Sequence, residues 1–140
     1  RAPATALHEL YAVMQSIVTE WPQFFSATNL EWKRLLEPDK YKDIIINSFR
    51  FLVSEKRITL YAFVIMINHI HLIWRMCAGI DPEAVQRDFL KYTAQKIKAD
   101  LRKYHPDILE NFRVDAKDRK YQFWERNPLS IELRTHAVFL

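Results

Sequence analysis

The sequence predicts an α+β fold in which an antiparallel sheet is covered by helices. Short segments of β-branched and aromatic residues, typical of strands, alternate irregularly with longer segments whose apolar residues repeat at helical spacing. The predicted order is helix, strand, helix, strand, strand, helix, strand. Because this order lacks the regular alternation that builds a parallel sheet, an antiparallel sheet is favoured. With 140 residues, 49% of them hydrophobic, the chain can form one domain with its own core.

The first part of the chain contains two predicted helices separated by a strand. Residues 5–20 carry apolar side chains at helical spacing and are followed by Pro22, which cannot continue a helix. Gln23–Trp32 is rich in aromatic residues and predicts a strand. A second helix is expected from Asp39 to about Lys56, because its apolar residues recur at intervals of three and four.

Two further strands are predicted in the middle of the chain, over Ile58–Met66 and His69–Met76. Ile67 and Asn68 between them allow either a tight hairpin or one long bent strand, and we favour the hairpin. Gly79, the only glycine of the chain, lies in the turn that follows.

The C-terminal part begins with a strong helix start. Asp81 is a favourable N-cap residue and Pro82 suits the first helical turn, so we expect a helix that reaches about Tyr104 and stops before Pro106. The remaining predictions are a polar segment to Lys120, a strand over Tyr121–Trp124, a strand over Leu129–Leu133 and a helix that begins near Thr135 and is cut off at Leu140.

The feature that bears most directly on function is a pair of histidines, His69 and His71, within an apolar strand. Side chains two positions apart on a strand share one face, with α-carbons roughly 7 Å apart, so both imidazoles could bind one metal ion. Ile70 would point to the opposite face and anchor the strand in the core. Such a pair can equally be structural or exposed, but Asn68 before it and the apolar pattern around it favour a site.

The charge distribution favours a polyanionic partner. The net charge is +4, from 21 basic and 17 acidic residues; residues 1–37 carry 3 basic and 4 acidic groups, and residues 87–140 carry 12 and 8. A basic excess of this kind suits nucleic acid. Cys77 is the only cysteine, which excludes an internal disulfide and a thiolate cluster. Without a membrane-length apolar segment or a visible signal peptide, a soluble, cytoplasmic protein is expected.

Two segments of the C-terminal part could contact DNA. On the helix that follows Asp81, basic residues within about a 60° stripe form either a solvated surface or a series of phosphate contacts. Residues 119–126 interleave aromatic and charged side chains, which indicates either a core strand with flanking charges or a platform for unpaired bases. The residues concerned are Arg87, Lys91, Lys98 and Arg102 on the helix, and Trp124 and Arg126 beyond it.

Residues 62–74, with Asn68-His69-Ile70-His71 at their centre, resemble the histidine strand of a known family, the single-tyrosine HUH transposases of the insertion-sequence type and their REP-associated relatives. Arg87–Thr93 and Phe123–Glu125 follow at matching positions. The resemblance covers residues 24–140 and leaves residues 1–23 as an N-terminal helical extension. It implies a ferredoxin-like HUH core for the α+β fold.

The resemblance also implies a function. Members of the family cleave and transfer single-stranded or hairpin DNA through a phosphotyrosine intermediate, as in DNA transposition. His69 and His71, with one further polar ligand, would hold a divalent metal, Mg²⁺ or Mn²⁺, against the scissile phosphate. The expected partner is single-stranded or hairpin DNA rather than a membrane, and a homodimer is a further expectation.

The sequence departs from the family pattern at the nucleophile. The family's tyrosine lies on a helix that this sequence begins but does not complete, since it stops at Leu140. Either the sequence is part of a longer protein, or the domain binds DNA without cutting it. Tyr92 is the substitute that we considered, but it falls on the apolar arc of its helix, so no catalytic tyrosine is assigned. Two alternatives stay open: a non-catalytic DNA-hairpin-binding module, and a metal-dependent hydrolase unrelated to nucleic acid.

Overall fold

A computed structural model describes residue 6 and residues 20–134 of the chain. The predicted first helix lies outside this continuous segment except for residue 20, and the predicted helix from Thr135 lies outside it entirely. The elements are β1 (Gln23–Thr28), a 3₁₀ turn (Leu30–Trp32), α1 (Asp39–Ser54), β2 (Ile58–Ile65), β3 (His69–Met76), α2 (Pro82–Tyr104), α3 (Pro106–Glu110) and β4 (Leu129–Glu132).

The four strands form one antiparallel sheet in the order β2-β3-β1-β4, so the α+β prediction is confirmed. The expected hairpin between β2 and β3 is also confirmed, since the two strands pair from Ile58 opposite Met76 to Ile65 opposite Ile70. The Met66 N–H donates to the His69 carbonyl over 2.8 Å and closes the turn. The histidine strand is therefore an inner strand, held on both sides.

The helices α1 and α2 cover one face of the sheet, which we call the covered face. Phe25 of β1 and Trp74 of β3 stack there with ring centroids 5.2 Å apart, and Trp74 meets Phe89 of α2 at 6.0 Å. Phe89 in turn stacks on Phe49 of α1 at 5.3 Å. These four rings are all almost completely buried, so the core lies between the sheet and the two helices.

The opposite face of the sheet, which we call the open face, carries the alternate residues of each strand. On β3 these include His69, His71 and Ile73, whereas Ile70 and Leu72 between them are buried on the covered face. The register places Val64 of β2 beside His71. The alternation of the sequence therefore assigns adjacent residues of one strand to two different environments.

Two expected strands differ from the structure. The strand predicted over Gln23–Trp32 ends at Thr28, because Glu31 and Trp32 adopt left-handed backbone angles with φ of 53° and 58°. The strand predicted over Tyr121–Trp124 is wrong: Tyr121 and Trp124 make only isolated bridges, with Arg113 and Asn29 respectively. The two ends of that segment pair with different partners, which prevents a continuous ladder.

The helix boundaries agree closely with expectation in the middle of the chain. Asp81 caps α2 by accepting a hydrogen bond from the Glu83 N–H over 3.1 Å, and α2 ends at Tyr104. The short helix α3 was not predicted, because Pro106 was interpreted as the stop of α2 and not as the first residue of another helix. None of the helices among the described residues is long and apolar enough to span a membrane.

Candidate metal and nucleic-acid site

His69 and His71 lie side by side on the open face, as the strand spacing predicts. Their ring centroids are 4.7 Å apart and the rings meet edge to face at 68°. Both side chains are half-buried, with Phe24 stacked on His71 at 5.5 Å. Two imidazoles at this separation can direct nitrogen atoms at one cation, because metal–nitrogen bonds in proteins are about 2 Å long.

The asparagine that precedes the pair determines which nitrogen of His69 is free. Asn68 Oδ1 lies 2.7 Å from Nδ1 of His69, and an amide oxygen can only accept, so Nδ1–H is the donor. Nε2 of His69 then carries the lone pair, as a metal ligand requires. The Asn68 amide group itself donates from Nδ2 to the Trp32 carbonyl over 3.2 Å, which fixes its orientation.

His71 has a buried nitrogen that lacks a partner among residues 20–134. Its Nδ1 is inaccessible to solvent and makes no hydrogen bond with any residue that the structure describes. Burial lowers the pKa of His71, and the neighbouring His69 lowers it further, so the ring is neutral at pH 7. A neutral imidazole with an unsatisfied nitrogen is costly unless a ligand occupies it, and it is the form that binds metals.

The histidine pair therefore fits a divalent ion as a two-nitrogen donor set. Residues 20–134 contain no cluster of three or more His, Cys, Asp or Glu side chains that could complete the coordination. Two imidazoles favour a transition ion such as Mn²⁺ over Mg²⁺, which prefers oxygen ligands. Any further ligand would be water, a bound phosphate, an oxygen of another residue type, or a residue outside 20–134.

Trp32 stands next to the histidine pair in a strained turn that the sequence did not reveal. Its indole is 62% exposed and meets the His69 ring edge to face at 5.8 Å. Left-handed angles at Glu31 and Trp32 each cost about 1–2 kcal/mol for a residue other than glycine. The turn is held by hydrogen bonds from the Glu31 N–H to Glu125 Oε1 (2.6 Å) and from the Trp32 N–H to the Asn29 carbonyl (3.0 Å).

A basic groove of about 660 Å³ runs between α2 and residues 118–128. Lys91 and Lys98 line it and form no ion pair with any carboxylate of the described segment, so their charges are available to an anion. The arginines are partly neutralised within the protein by neighbouring carboxylates. These pairs are Arg87 with Asp88 (3.7 Å), Arg119 with Asp118 (3.2 Å) and Arg126 with Asp118 (3.9 Å).

One segment links the groove to the histidine pair. Glu125 lines the groove, and its N–H donates to the Thr28 carbonyl over 2.8 Å. Thr28 is in turn the β1 partner of His69. The groove and the histidine pair are therefore joined through β1, although α2, which forms one wall of the groove, packs on the covered face.

The structure separates the DNA-contact residues that the sequence suggested. Arg87, Lys91, Lys98 and Arg126 line the groove, whereas Arg102 is exposed near the end of α2 and does not. Trp124 lines the groove but is only 6% exposed, and its Nε1–H donates to Thr93 Oγ1 over 3.1 Å. A ring packed and bonded in this way is a core residue, which corrects the suggestion that unpaired bases stack on it.

The helical spacing places Tyr92 on the apolar arc of its helix, but in the structure Tyr92 is 47% exposed on α2, with Lys96 over its ring. α2 packs on the covered face, so Tyr92 lies across the sheet from His69 and His71. This position excludes Tyr92 as the nucleophile for a phosphate at the histidine pair.

Sequence reasoning missed the residues that connect distant segments. Asn29 is fully buried, and it joins β1 to both functional segments: its N–H donates to the Asn68 carbonyl (2.9 Å) and its Nδ2 to the Phe123 carbonyl (3.3 Å). Asn29 interrupts an aromatic strand pattern, and this interruption was the one available signal. Its partners, 39 and 94 positions away, could not be inferred from spacing.

Comparison with known proteins shows that the fold of this chain is similar to that of solved structures. No protein-family profile and no curated protein matches the chain. Among solved structures, it is similar to a REP-associated tyrosine transposase bound to a REP hairpin, with a TM-score of 0.59 and 13% identity over 85% of this chain and 59% of that one. It is also similar to a candidate transposase from Deinococcus radiodurans R1, with a TM-score of 0.59 and 13% identity over 86% of this chain and 84% of that one.

These likenesses confirm, at the level of fold, the resemblance to transposases inferred from the sequence. The α+β fold with an antiparallel sheet is the fold of both structures. The chain spans 59% of the length of the REP-associated transposase that it matches.

Proposed function

We propose that this chain binds single-stranded or hairpin DNA and presents a phosphodiester to a divalent ion held by His69 and His71, for the cleavage and strand transfer of DNA transposition. The observation that carries the proposal is the histidine pair itself. Two imidazoles share the open face, the pKa of His71 is lowered by burial, and the buried Nδ1 of His71 has no partner among residues 20–134. The fold is that of two transposase structures, one of them bound to a hairpin.

Each group in the proposed site has a defined task. Lys91 and Lys98 hold the DNA backbone in the groove, a contact that is independent of sequence and weakens with salt. Asn68 keeps Nε2 of His69 directed at the ion by accepting a hydrogen bond from Nδ1–H. A bound divalent ion would neutralise the charge that develops on the phosphate and polarise its oxygens. The attacking group in such a reaction is a tyrosine hydroxyl, which loses its proton and forms a phosphotyrosine ester as the bond from phosphorus to one deoxyribose oxygen breaks and that oxygen leaves as a hydroxyl.

The proposal is tested with a labelled DNA hairpin that carries a single-stranded tail. Binding is measured by anisotropy across a salt series, in Mn²⁺, Mg²⁺ or EDTA, and adducts are sought on denaturing gels. Lys91→Ala/Lys98→Ala should flatten the plot of log affinity against log salt by about 0.9 per lost phosphate contact. His69→Ala/His71→Ala should abolish Mn²⁺ binding, measured by calorimetry, and leave the fold intact.

Matched controls separate site effects from general ones. Lys103→Ala removes a charge from α2 outside the groove, and His105→Ala removes an imidazole at the end of α2. Neither should alter the salt slope or the Mn²⁺ affinity. Wild-type protein that binds no DNA, or binds it without salt dependence, contradicts the proposal and favours the hydrolase unrelated to nucleic acid.

A second function, that of a hairpin-binding module without cleavage, is favoured by one observation. Residues 20–134 supply two nitrogen donors, and no third His, Cys, Asp or Glu side chain is grouped with them. For this function we expect hairpin binding that persists in EDTA and in the double histidine variant, with no covalent adduct in Mn²⁺. An adduct that survives denaturation and is removed by protease treatment would favour the enzyme.

The homodimer and the cytoplasmic location expected from the sequence stay predictions. Sedimentation of the protein, alone and with hairpin DNA, measures whether it forms a homodimer.

A further inference from the structure

We infer that Trp32 is a stacking site for one unpaired base of the DNA strand that passes the histidine pair. The inference rests on the proposed function and deepens it, because it adds a base contact to a site otherwise made of phosphate contacts. Stacking on an indole recognises the face of a base and therefore tolerates every base. The ligand is thus single-stranded DNA next to the phosphate held at His69 and His71.

The exposure of Trp32 is the first support. Of the other tryptophans in the described segment, Trp74 and Trp124 are buried in the core and Trp21 is half-buried, whereas Trp32 is 62% exposed. A side chain of this size is normally covered, since an indole buries more apolar area than most side chains. It meets His69 edge to face at 5.8 Å, and no other aromatic ring in residues 20–134 contacts the indole.

The backbone beneath Trp32 is the second support. Glu31 and Trp32 hold left-handed angles that any residue with a β-carbon adopts reluctantly. Four hydrogen bonds secure the turn: Glu31 N–H to Glu125 Oε1, Trp32 N–H to the Asn29 carbonyl, Lys33 N–H to the Leu30 carbonyl, and Asn68 Nδ2 to the Trp32 carbonyl. Strained backbone that is over-determined by its surroundings is typical of binding sites.

The position of the turn is the third support. Asn68 bonds both the Trp32 carbonyl and His69, so the indole and the ligand histidine share one anchor. Glu125, which holds the other end of the turn, belongs to the wall of the groove. The turn is therefore hydrogen-bonded to the wall of the groove through Glu125 and to the histidine strand through Asn68.

The test compares a blunt hairpin with the same hairpin carrying a single-stranded tail of about 10 nucleotides. Trp32→Ala should weaken binding of the tailed hairpin by about 5- to 150-fold, the range of one stacked base, and leave binding of the blunt hairpin unchanged. Trp32→Phe should retain most of the affinity, since it keeps a ring. Tyr104→Ala, which removes another exposed aromatic ring from the far end of α2, is the control and should have no effect.

An abasic scan of the tail identifies the base. For wild-type protein, an abasic site at one tail position should reduce DNA affinity as much as Trp32→Ala does. The affinity of the Trp32→Ala variant should not change further with that abasic site, because the base and the indole form one contact. Trp32→Leu keeps apolar bulk without a ring and replaces Trp32→Ala if the latter fails to fold. Equal weakening of blunt and tailed hairpins, or unchanged binding of both, overturns the inference.

The two proposals fail in different ways. If wild-type protein binds neither hairpin, the proposed function and this inference fall together. If DNA binding depends on salt and Lys91→Ala/Lys98→Ala reduces the salt slope, but Trp32→Ala leaves the affinity for the tailed hairpin unchanged, only the inference about Trp32 is overturned.

Discussion

The two faces of the sheet use the same strands for different purposes. On the covered face, β3 contributes Ile70, Leu72 and Trp74, which are all buried against α1 and α2. On the open face, the same strand contributes His69 and His71, whose rings are half-buried and face each other. Because side chains alternate along a strand, one residue separates the core from the site.

The core on the covered face fixes the position of the candidate site, but the side chains of the site are not part of that core. Thr93 on the covered side is satisfied within the protein, because its Oγ1 donates to the Phe89 carbonyl (2.9 Å) and accepts from Trp124. Two buried ring nitrogens of β3 have no partner in the described segment, Trp74 Nε1 on the covered face and His71 Nδ1 on the open face. Trp74 is fully buried in the core, whereas His71 is half-buried beside His69, so only the second ring is placed to meet a ligand.

The largest expected effect is a difference in the loss of unfolding free energy between substitutions at two adjacent residues of β3. Ile70→Ala should lower the free energy of unfolding by about 2–5 kcal/mol, because Ile70 is fully buried between sheet and helices. His71→Ala should change it by less than about 1 kcal/mol, since no described residue loses a hydrogen bond. Urea unfolding followed by circular dichroism measures both. Equal losses would show that His71 belongs to the core.

A smaller effect is expected from the polar contact that joins α1 to α2 on the covered side. Tyr41 donates to Asp100 Oδ2 over 2.7 Å, and Lys40 pairs with the same carboxylate at 2.7 Å. Tyr41→Phe removes a hydrogen bond to a charged group and should cost about 1–2 kcal/mol in urea unfolding. Tyr104→Phe, which removes a hydroxyl with no hydrogen bond to the described residues, is the control and should have no effect.

The same contact has a pH dependence. Burial alone would raise the pKa of Asp100, but hydrogen bonds from Lys40 and Tyr41 outweigh it and the pKa is lowered. A lowered carboxylate pKa contributes stability above its unfolded value of about 3.9, and this stability is lost as the pH falls through the folded value. The difference in the free energy of unfolding between wild type and Tyr41→Phe should therefore become smaller below about pH 4. A difference that stays constant into acid would contradict the charged hydrogen bond.

Much of this architecture was predictable because it depends on local patterns. The alternation around Ile70 predicts both the strand and the shared face of the histidines, and Asp81 with Pro82 predicts the start of α2. The helical period brings Lys91 and Lys98 to one side, and the structure places both in the groove.

The unpredicted features depend on contacts between distant segments. Glu125 holds the backbone of Glu31 from 94 positions away, and this contact presents Trp32 beside His69. No local pattern favours left-handed angles at a glutamate and a tryptophan. For the same reason, the sequence left open whether Trp124 is a core residue or a stacking surface, and its contact with Thr93 of α2 makes it a core residue.

The smallest expected effect concerns the titration of His71 on the open face. Its pKa is lowered by burial and by His69, so below about pH 6.5 the unfolded chain takes up a proton that the folded protein resists. Stability should therefore fall as the pH drops from about 6.5 toward the folded pKa and then stop falling. His71→Leu removes this titration and should flatten the acid side of the stability curve, measured by urea unfolding in EDTA. An unchanged slope would mean that His71 titrates alike in both states, and that the open face holds no desolvated imidazole.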